Sequence, residues 1–274
     1  MMCLNLCDLL DRTDLLNDNI QKLIHLPELV DAQRIYIGSY FCSKYFLGID
    51  FAEELKCFLK EHPKKITLVV PISSEKDLLA TKKQLQQLLN KLPVDEVTVN
   101  DVGMLTSIHK SCSIRLNLGR LFFKDARDIR LPEFYKQTIH PAALDLLNNY
   151  FTNYPIGFAE FDPISSVLDL QTNSEIGLAL HEPFGYLTTG NICKYSSIGK
   201  SITQKFRPNA TCNRQCQGIF EVSMSKTNDY TLYRIGRAVY FETERPQTVN
   251  GSFERYICFP FHQIVKLRKE GVSV

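Results

Sequence analysis

Lys65-Ile66-Thr67-Leu68-Val69-Val70-Pro71 decides the fold class. Its apolar and β-branched residues run on without polar alternation, as a strand buried on both faces requires, and parallel sheets are built from such strands. Ser74 follows, three residues before Asp77, at the spacing of a capping box. Leu78, Leu85, Leu88, Leu89 and Leu92 then recur at helical spacing.

The same unit, strand then helix, repeats on both sides. Upstream, Arg34-Ile35-Tyr36-Ile37-Gly38-Ser39-Tyr40-Phe41 reads as a strand, and Phe51, Leu55, Phe58 and Leu59 share a helical face. Downstream, Glu96–Asn100, Ser113–Leu118, Ile156–Phe161 and Ile176–Leu180 read as further strands. Asp101 starts a short helix with Val102, Leu105 and Ile108, and another helix falls near Ala142–Tyr150. Strands alternating with helices imply a parallel sheet. Six or more units in this length predict an α/β, TIM-barrel-like single domain, complete or broken. No Gly-x-Gly-x-x-Gly turn follows any strand, so a doubly wound sheet ranks second.

After Cys216 the texture changes to short strands, Ile219–Ser225, Tyr230–Ile235, Ala238–Glu244 and Arg255–Phe261, with turns at Asn228-Asp229 and Asn250-Gly251, read as antiparallel hairpins or a degraded end of the barrel. Residues 1–30 are read as a helical lead-in, and 31–274 as the barrel-like domain with a cysteine-rich loop at 181–217.

The 274 residues carry 32 Lys and Arg against 30 Asp and Glu, so the total charge points to neither nucleic acid nor an anionic membrane. No run approaches the roughly 20 apolar residues of a spanning helix. Asp8, Asp11, Arg12 and Asp14 interrupt the leucines of the N-terminus and argue against a secretory signal. The chain therefore reads as cytoplasmic. Its nine cysteines, an odd number, read as thiols or metal ligands and form no disulfide framework.

The nine sort by surroundings. Cys57 and Cys258 read as small buried hydrophobes, Cys112 has no assigned role, and Cys3 and Cys7 sit near a mobile terminus at a spacing that suits one helix face. Cys42 comes immediately after a strand, and Cys193, Cys212 and Cys216 lie in a Gly- and Pro-containing loop after another. In a barrel, loops that follow strands open on one face, so these four thiols can converge. Four thiolates suit zinc or an iron–sulfur cluster.

Other polar residues belong to the same face. Arg120, Lys124 and Arg127 could hold an anionic substrate, or form local salt bridges in a solvated loop. Glu160 is a candidate proton acceptor, or a structural partner of Arg115 or Arg120. His181 is a candidate proton donor or fifth ligand, or simply a hydrogen-bonded histidine. No Gly-x-Ser-x-Gly elbow, Cys/His pairing motif or His-Glu-x-x-His is present, so a peptidase finds no mechanism here.

At the cysteines the chain resembles the collagenase-like peptidase family, peptidase family U-32, and within it the UbiU/UbiV-like iron–sulfur branch. The resemblance rests on Ile35-Tyr36-Ile37-Gly38 with Cys42-Ser43-Lys44, Val99-Asn100-Asp101-Val102-Gly103, Phe158-Ala159-Glu160-Phe161, Leu187–Cys193 with Cys212-Asn213-Arg214-Gln215-Cys216, and Leu232–Tyr240. It implies a [4Fe–4S] cluster on Cys42, Cys193, Cys212 and Cys216, with zinc as the alternative. It also implies a part in oxygen-independent hydroxylation of a small aromatic or quinone precursor, as in ubiquinone biosynthesis, or of an RNA base. Three features depart from the family pattern: eighteen residues between Cys193 and Cys212, His181-Glu182-Pro183 in place of a Tyr-Gly or His-Gly turn, and a short chain after Phe261. Missing terminal barrel units would leave an apolar edge for a related-family subunit, so a heterodimer with a non-catalytic, scaffold role is the second expectation.

Overall fold

The computed structural model describes residues 1–10, 22, 25, 31–111, 113–123, 142–163, 167–173, 175–208, 210–216, 220–224 and 231–270, with the backbone alone in 142–144 and 267–270. Eight parallel strands close into a barrel: β1 (Met2–Asn5), β2 (Arg34–Gly38), β3 (Lys65–Val70), β4 (Glu96–Val99), β5 (Arg115–Leu118), β6 (Ile156–Phe161), β8 (Gly177–Glu182) and β14 (Arg255–Cys258). The last of these pairs with both β8 and β1.

The barrel is closed, the complete form of the two expected. Met2–Asn5 is a barrel strand that pairs with β2 and β14 where a helical lead-in was expected, and residues 11–21, 23, 24 and 26–30 of that lead-in lie outside the described residues. Cys3 lies in that strand and both Cys3 and Cys7 are buried, so neither belongs to a loose helical terminus.

The helices cover the barrel, and Ala52–Glu61 does so with the face read from sequence, as does Val102–His109 through Leu105 and Ile108. In α1 (Ser43–Leu47), Tyr45 and Phe46 are buried. In α2 (Ala52–Glu61), Leu55, Phe58 and Leu59 are buried. In α3 (Glu75–Lys91) the buried stripe is Asp77, Thr81, Leu85 and Leu88, spaced three and four apart. Asp77 does not cap this helix: Ser74 makes no side-chain cap bond, and Asp77 instead accepts from Ser43 Oγ at 2.9 Å and Lys44 Nζ at 2.7 Å, tying α3 to α1. Asp101 does cap α4 (Val102–His109), its side chain accepting from Met104 N at 2.7 Å. Two further helices, α5 (Ala142–Tyr150) and α6 (Phe261–Glu270), complete the set.

The sequence after β8 divides. Strands β9 (Phe184–Thr189), β10 (Phe220–Met224), β11 (Thr231–Ile235) and β12 (Ala238–Glu242) form an antiparallel sheet in the order β10-β11-β12-β9. The short β7 (Leu168–Asp169) and β13 (Thr248–Val249) pair with each other. Both readings of the C-terminal texture thus apply, to different strands.

Two polar layers fill the barrel. At the strand N-termini, Glu96 accepts from Arg255 at 2.5 and 3.2 Å and from Thr67 Oγ1 at 2.7 Å, with Arg34 at 3.3 Å. Strands β4 and β14 are not neighbours, so this pair spans the interior. The second layer lies near the strand C-termini and belongs to the candidate site. Where β2 ends, Gly38 has φ +109°, and a Cβ there would stand 2.2 Å from the Val69 carbonyl oxygen. Only glycine fits so close an approach.

Candidate functional site

The C-terminal ends of the strands supply the site. Asp8 follows β1, Ser39–Cys42 follow β2, Arg120 follows β5, Asp162 follows β6, and His181 sits near the end of β8. Cys42 is the N-cap of α1: its Sγ accepts from Tyr45 N at 3.4 Å, and its own N–H donates to Ser39 Oγ at 2.8 Å.

The other three thiols arrive on the long connection from β9 to β10, which arginines pin in place. Arg237 donates to Gly190 O at 2.6 Å and Asn191 Oδ1 at 2.8 Å, fixing the approach to Cys193. Arg214 donates to Gly48 O at 2.6 Å, holding the Cys212–Cys216 turn against the end of α1, which Cys42 begins. Cys212 Sγ accepts from Arg214 N at 3.3 Å.

These acids press on one another. Burial pushes the Cys216 thiol up to about 12, and charges on Cys42, Cys193, Cys212 and Asp8 add to the rise. Burial raises Cys42 to about 11, with Asp8 contributing next and Cys212 also raising it. Burial raises Asp8 to about 7, against hydrogen bonds from Ser39 and the Tyr40 backbone. All four expected cysteines therefore share one electrostatic neighbourhood. Their donor chemistry fits a thiophilic cation, which would replace the protons that burial keeps on Cys42 and Cys216. Among the described residues, however, no three His, Cys, Asp or Glu side chains form a group that could hold a metal ion.

Beneath them lies the second polar layer. Glu160, fully buried, accepts from Tyr40 OH at 2.8 Å and Thr98 Oγ1 at 2.7 Å, and its Oε2 is 3.1 Å from His181 Nε2. Burial pushes its carboxyl up to about 7, while the bonds from Thr98 and Tyr40 oppose the rise. Burial drives His181 the other way, well below its ordinary value, so the imidazole is neutral. With Nε2–H facing Glu160, Nδ1 is a buried atom with no partner. The arrangement sets a carboxyl that can gain or lose a proton near neutral pH against an imidazole that stays neutral.

Arg120 does not face a substrate. It is 1% exposed, pairs with Asp162 through Nη2 and Nε, and donates to Phe184 O at 3.0 Å. The rings of Tyr40, Tyr186 and Tyr240 surround it at 5.4–5.8 Å. Tyr186 and Tyr240 belong to the antiparallel sheet and also pack on Phe41, at 5.0 and 6.1 Å between rings. That sheet is a lid over the barrel mouth, bolted down by Arg120. The partner of Arg120 is Asp162, so Glu160 is left with neutral donors. Lys124 and Arg127 lie outside the described residues, as does Cys112.

The remaining thiols differ from expectation in part. Cys57 is exposed rather than buried, and Cys258 is half-buried. No disulfide joins the described cysteines. Sequence reasoning missed Tyr40, Asp8 and the lid tyrosines. Tyr40 lay within a quoted strand, and Asp8 directly follows Cys7, but neither had a visible partner.

The fold and site define a closed α/β barrel of the TIM type whose mouth carries four cysteines above a buried Glu–His pair. Comparison with known proteins goes no further: no family model, no curated protein and no solved structure matches the chain. Among the described residues no helix is long and apolar enough to cross a membrane.

Proposed function

We propose that Cys42, Cys193, Cys212 and Cys216 bind a metal centre, a [4Fe–4S] cluster in the first instance, and that the protein is an iron–sulfur enzyme or enzyme subunit of the collagenase-like peptidase kind. The observation that supports this reading is that Cys42 on the β2 loop and Cys193 and Cys212 on the β9–β10 connection all lie near enough to Cys216 for their charges to raise its thiol. Bound, the cluster would supply one-electron chemistry.

The chain's own residues have separate tasks. The four cysteines hold the group, and Arg214 and Arg237 fix the segments that present them. Glu160 and His181 hold or pass a proton at Oε2 of the carboxyl. The reaction is oxygen-independent hydroxylation of a small aromatic or quinone precursor, or of an RNA base, at a cytoplasmic location.

The test is anaerobic purification followed by iron, sulfide and zinc assays and a visible spectrum on the same sample. About four iron and four sulfide per chain, lost in Cys212→Ala, is the expected result. Full cluster content in Cys212→Ala refutes the ligand assignment.

One observation favours a second reading, in which the metal is structural and the protein is a non-catalytic subunit. Glu160 and His181 are buried beneath Arg120 and the lid tyrosines, at 0% and 1% exposure. Stoichiometric zinc without colour would favour this reading. A peptidase gains little support: the described histidine bonds from His181 and His262 go to carboxylates, not to a serine or cysteine nucleophile. It would require peptide cleavage that survives chelation.

A further inference from the structure

The metal reading makes no use of most of the eighteen residues between Cys193 and Cys212. The whole chain is nearly neutral at +2, yet residues 183–220 contain no Asp or Glu and carry Lys194, Lys200, Lys205, Arg207 and Arg214. Two of these cations are committed elsewhere: Lys194 pairs with Glu221 at 2.6 Å and Arg214 holds the Gly48 carbonyl. Lys205 and Arg207 have no acidic partner among the described residues and stand exposed.

The segment projects. Tyr195–Ser197 is a buried 3-10 turn, and Phe206 N–H donates to Ser197 Oγ at 2.9 Å, closing 198–205 into a loop on a narrow neck. Lys200 Nζ donates to Thr211 O at 2.7 Å, returning the stem beside Cys212. Ile202 begins a second 3-10 turn in the loop and is 89% exposed. Ile198 and Phe206 flank the neck, each more than half exposed. Phe206 is held at φ +53°, a left-handed conformation that bulky residues rarely adopt. Three large, mostly exposed apolar side chains thus stand on one closed loop, within a stretch of sequence free of acids.

We propose that the loop 198–207 is a contact element for an anionic lipid surface, inserting Ile202, Ile198 and Phe206 at the headgroup boundary while Lys205 and Arg207 meet the lipid phosphates. Apolar side chains with adjacent cations and no acids are the chemistry of interfacial binding. A protein partner would need a groove to receive this loop, and protein interfaces are depleted in lysine. Single-stranded nucleic acid would need stacking faces, and the loop offers one aromatic ring. The inference goes beyond the metal reading and does not rest on it, because lipid binding is measured on protein whose metal content is assayed separately.

The chain contains no tryptophan, so Ile202→Trp places a single reporter at the tip. Vesicles of phosphatidylcholine alone are compared with vesicles containing about one third phosphatidylglycerol. Expected are sedimentation with the anionic vesicles only, a blue shift of the Ile202→Trp emission on binding, and loss of both at high salt. Near the surface each cation contributes about fivefold, so Lys205→Ala with Arg207→Ala lowers partitioning by about twenty-five-fold. Ile202→Ser lowers it by about tenfold. These positions are exposed, so an unchanged circular-dichroism melt confirms that the variants fold. The proposal is overturned by absence of vesicle binding, by binding that these substitutions leave intact, by an unshifted Ile202→Trp spectrum on bound protein, or by loop-dependent binding to polyuridylate without binding to vesicles.

Discussion

Glu160→Gln probes the barrel interior with little change of shape. The glutamate is fully buried, and burial lifts its carboxyl from an ordinary 4.5 to about 7. The amide is nearly isosteric with the neutral acid. Tyr40 OH and the His181 ring can each exchange donor and acceptor roles to meet its NH₂ group. Between the two pKa values the folded protein binds more protons than the unfolded chain, so its stability falls as pH rises. The favourable contribution is whole below the unfolded value of 4.5 and is lost as pH rises through about 7. That interval corresponds to about 3 kcal/mol. His181, held neutral by burial, acts with the opposite sign and loses stability as pH falls below its ordinary 6.5. Its contribution, like that of Asp8, is common to both proteins and cancels in their difference. Glu160→Gln should therefore match the wild type near pH 4 and exceed it by about 3 kcal/mol near pH 8. Guanidinium unfolding midpoints of both proteins across that range measure the difference. A difference that stays constant with pH would refute the assignment of a raised carboxyl to Glu160.

Two further substitutions test the frame. Arg120→Ala leaves Asp162 without its cation and unbolts the lid, and should cost about 3–5 kcal/mol, seen as a lower Tm with increased protease cleavage in β9–β12; an unchanged Tm would show that the lid is held by its aromatic packing alone. Gly38→Ala forces a methyl group against the Val69 carbonyl at a positive φ, and should cost about 3 kcal/mol or prevent folding; a soluble variant with wild-type unfolding midpoint would contradict the close approach.

The barrel was legible in the chain because most of its strands are short apolar runs with helical stripes between them. β3 needed nothing beyond local pattern, and neither did Leu85 and Leu88 of α3, but its buried Asp77 and Thr81 were hidden among the polar residues of that helix. β1 was not legible for a physical reason: it has four residues, and it is stabilised by pairing with β14 across 250 residues of sequence. β14 was read as a strand within Arg255–Phe261, but its place in the barrel was not, since a charged residue at a strand start reads as surface until Glu96 is placed opposite. The cysteines could be gathered because one rule of barrel architecture puts every loop after a strand on the same face. Arg120 could not be read correctly, because its environment comes from a sheet inserted after β8. The lipid-facing loop was hidden by averaging, since a net charge of +2 conceals a long stretch without acids.

Two buried glutamates in one barrel end in opposite states, and the cause is local. Burial alone would raise both. At the lower layer, the Arg255 and Arg34 guanidiniums outweigh it and hold Glu96 below its ordinary value. Such a pair is a fixed plug, since removing either charge leaves the other unpaired in the interior. At the upper layer a guanidinium is also near, but Asp162 and the Phe184 carbonyl take the hydrogen bonds of Arg120, and Glu160 keeps only neutral donors. The lid thus does more than close the mouth. By drawing Arg120 onto Asp162 it withholds the cation that would fix Glu160 as a carboxylate, and leaves that carboxyl able to gain or lose a proton near neutral pH. A charge on the fifth barrel strand's loop, a carboxylate after the sixth and a sheet inserted after the seventh together set the protonation of one buried side chain.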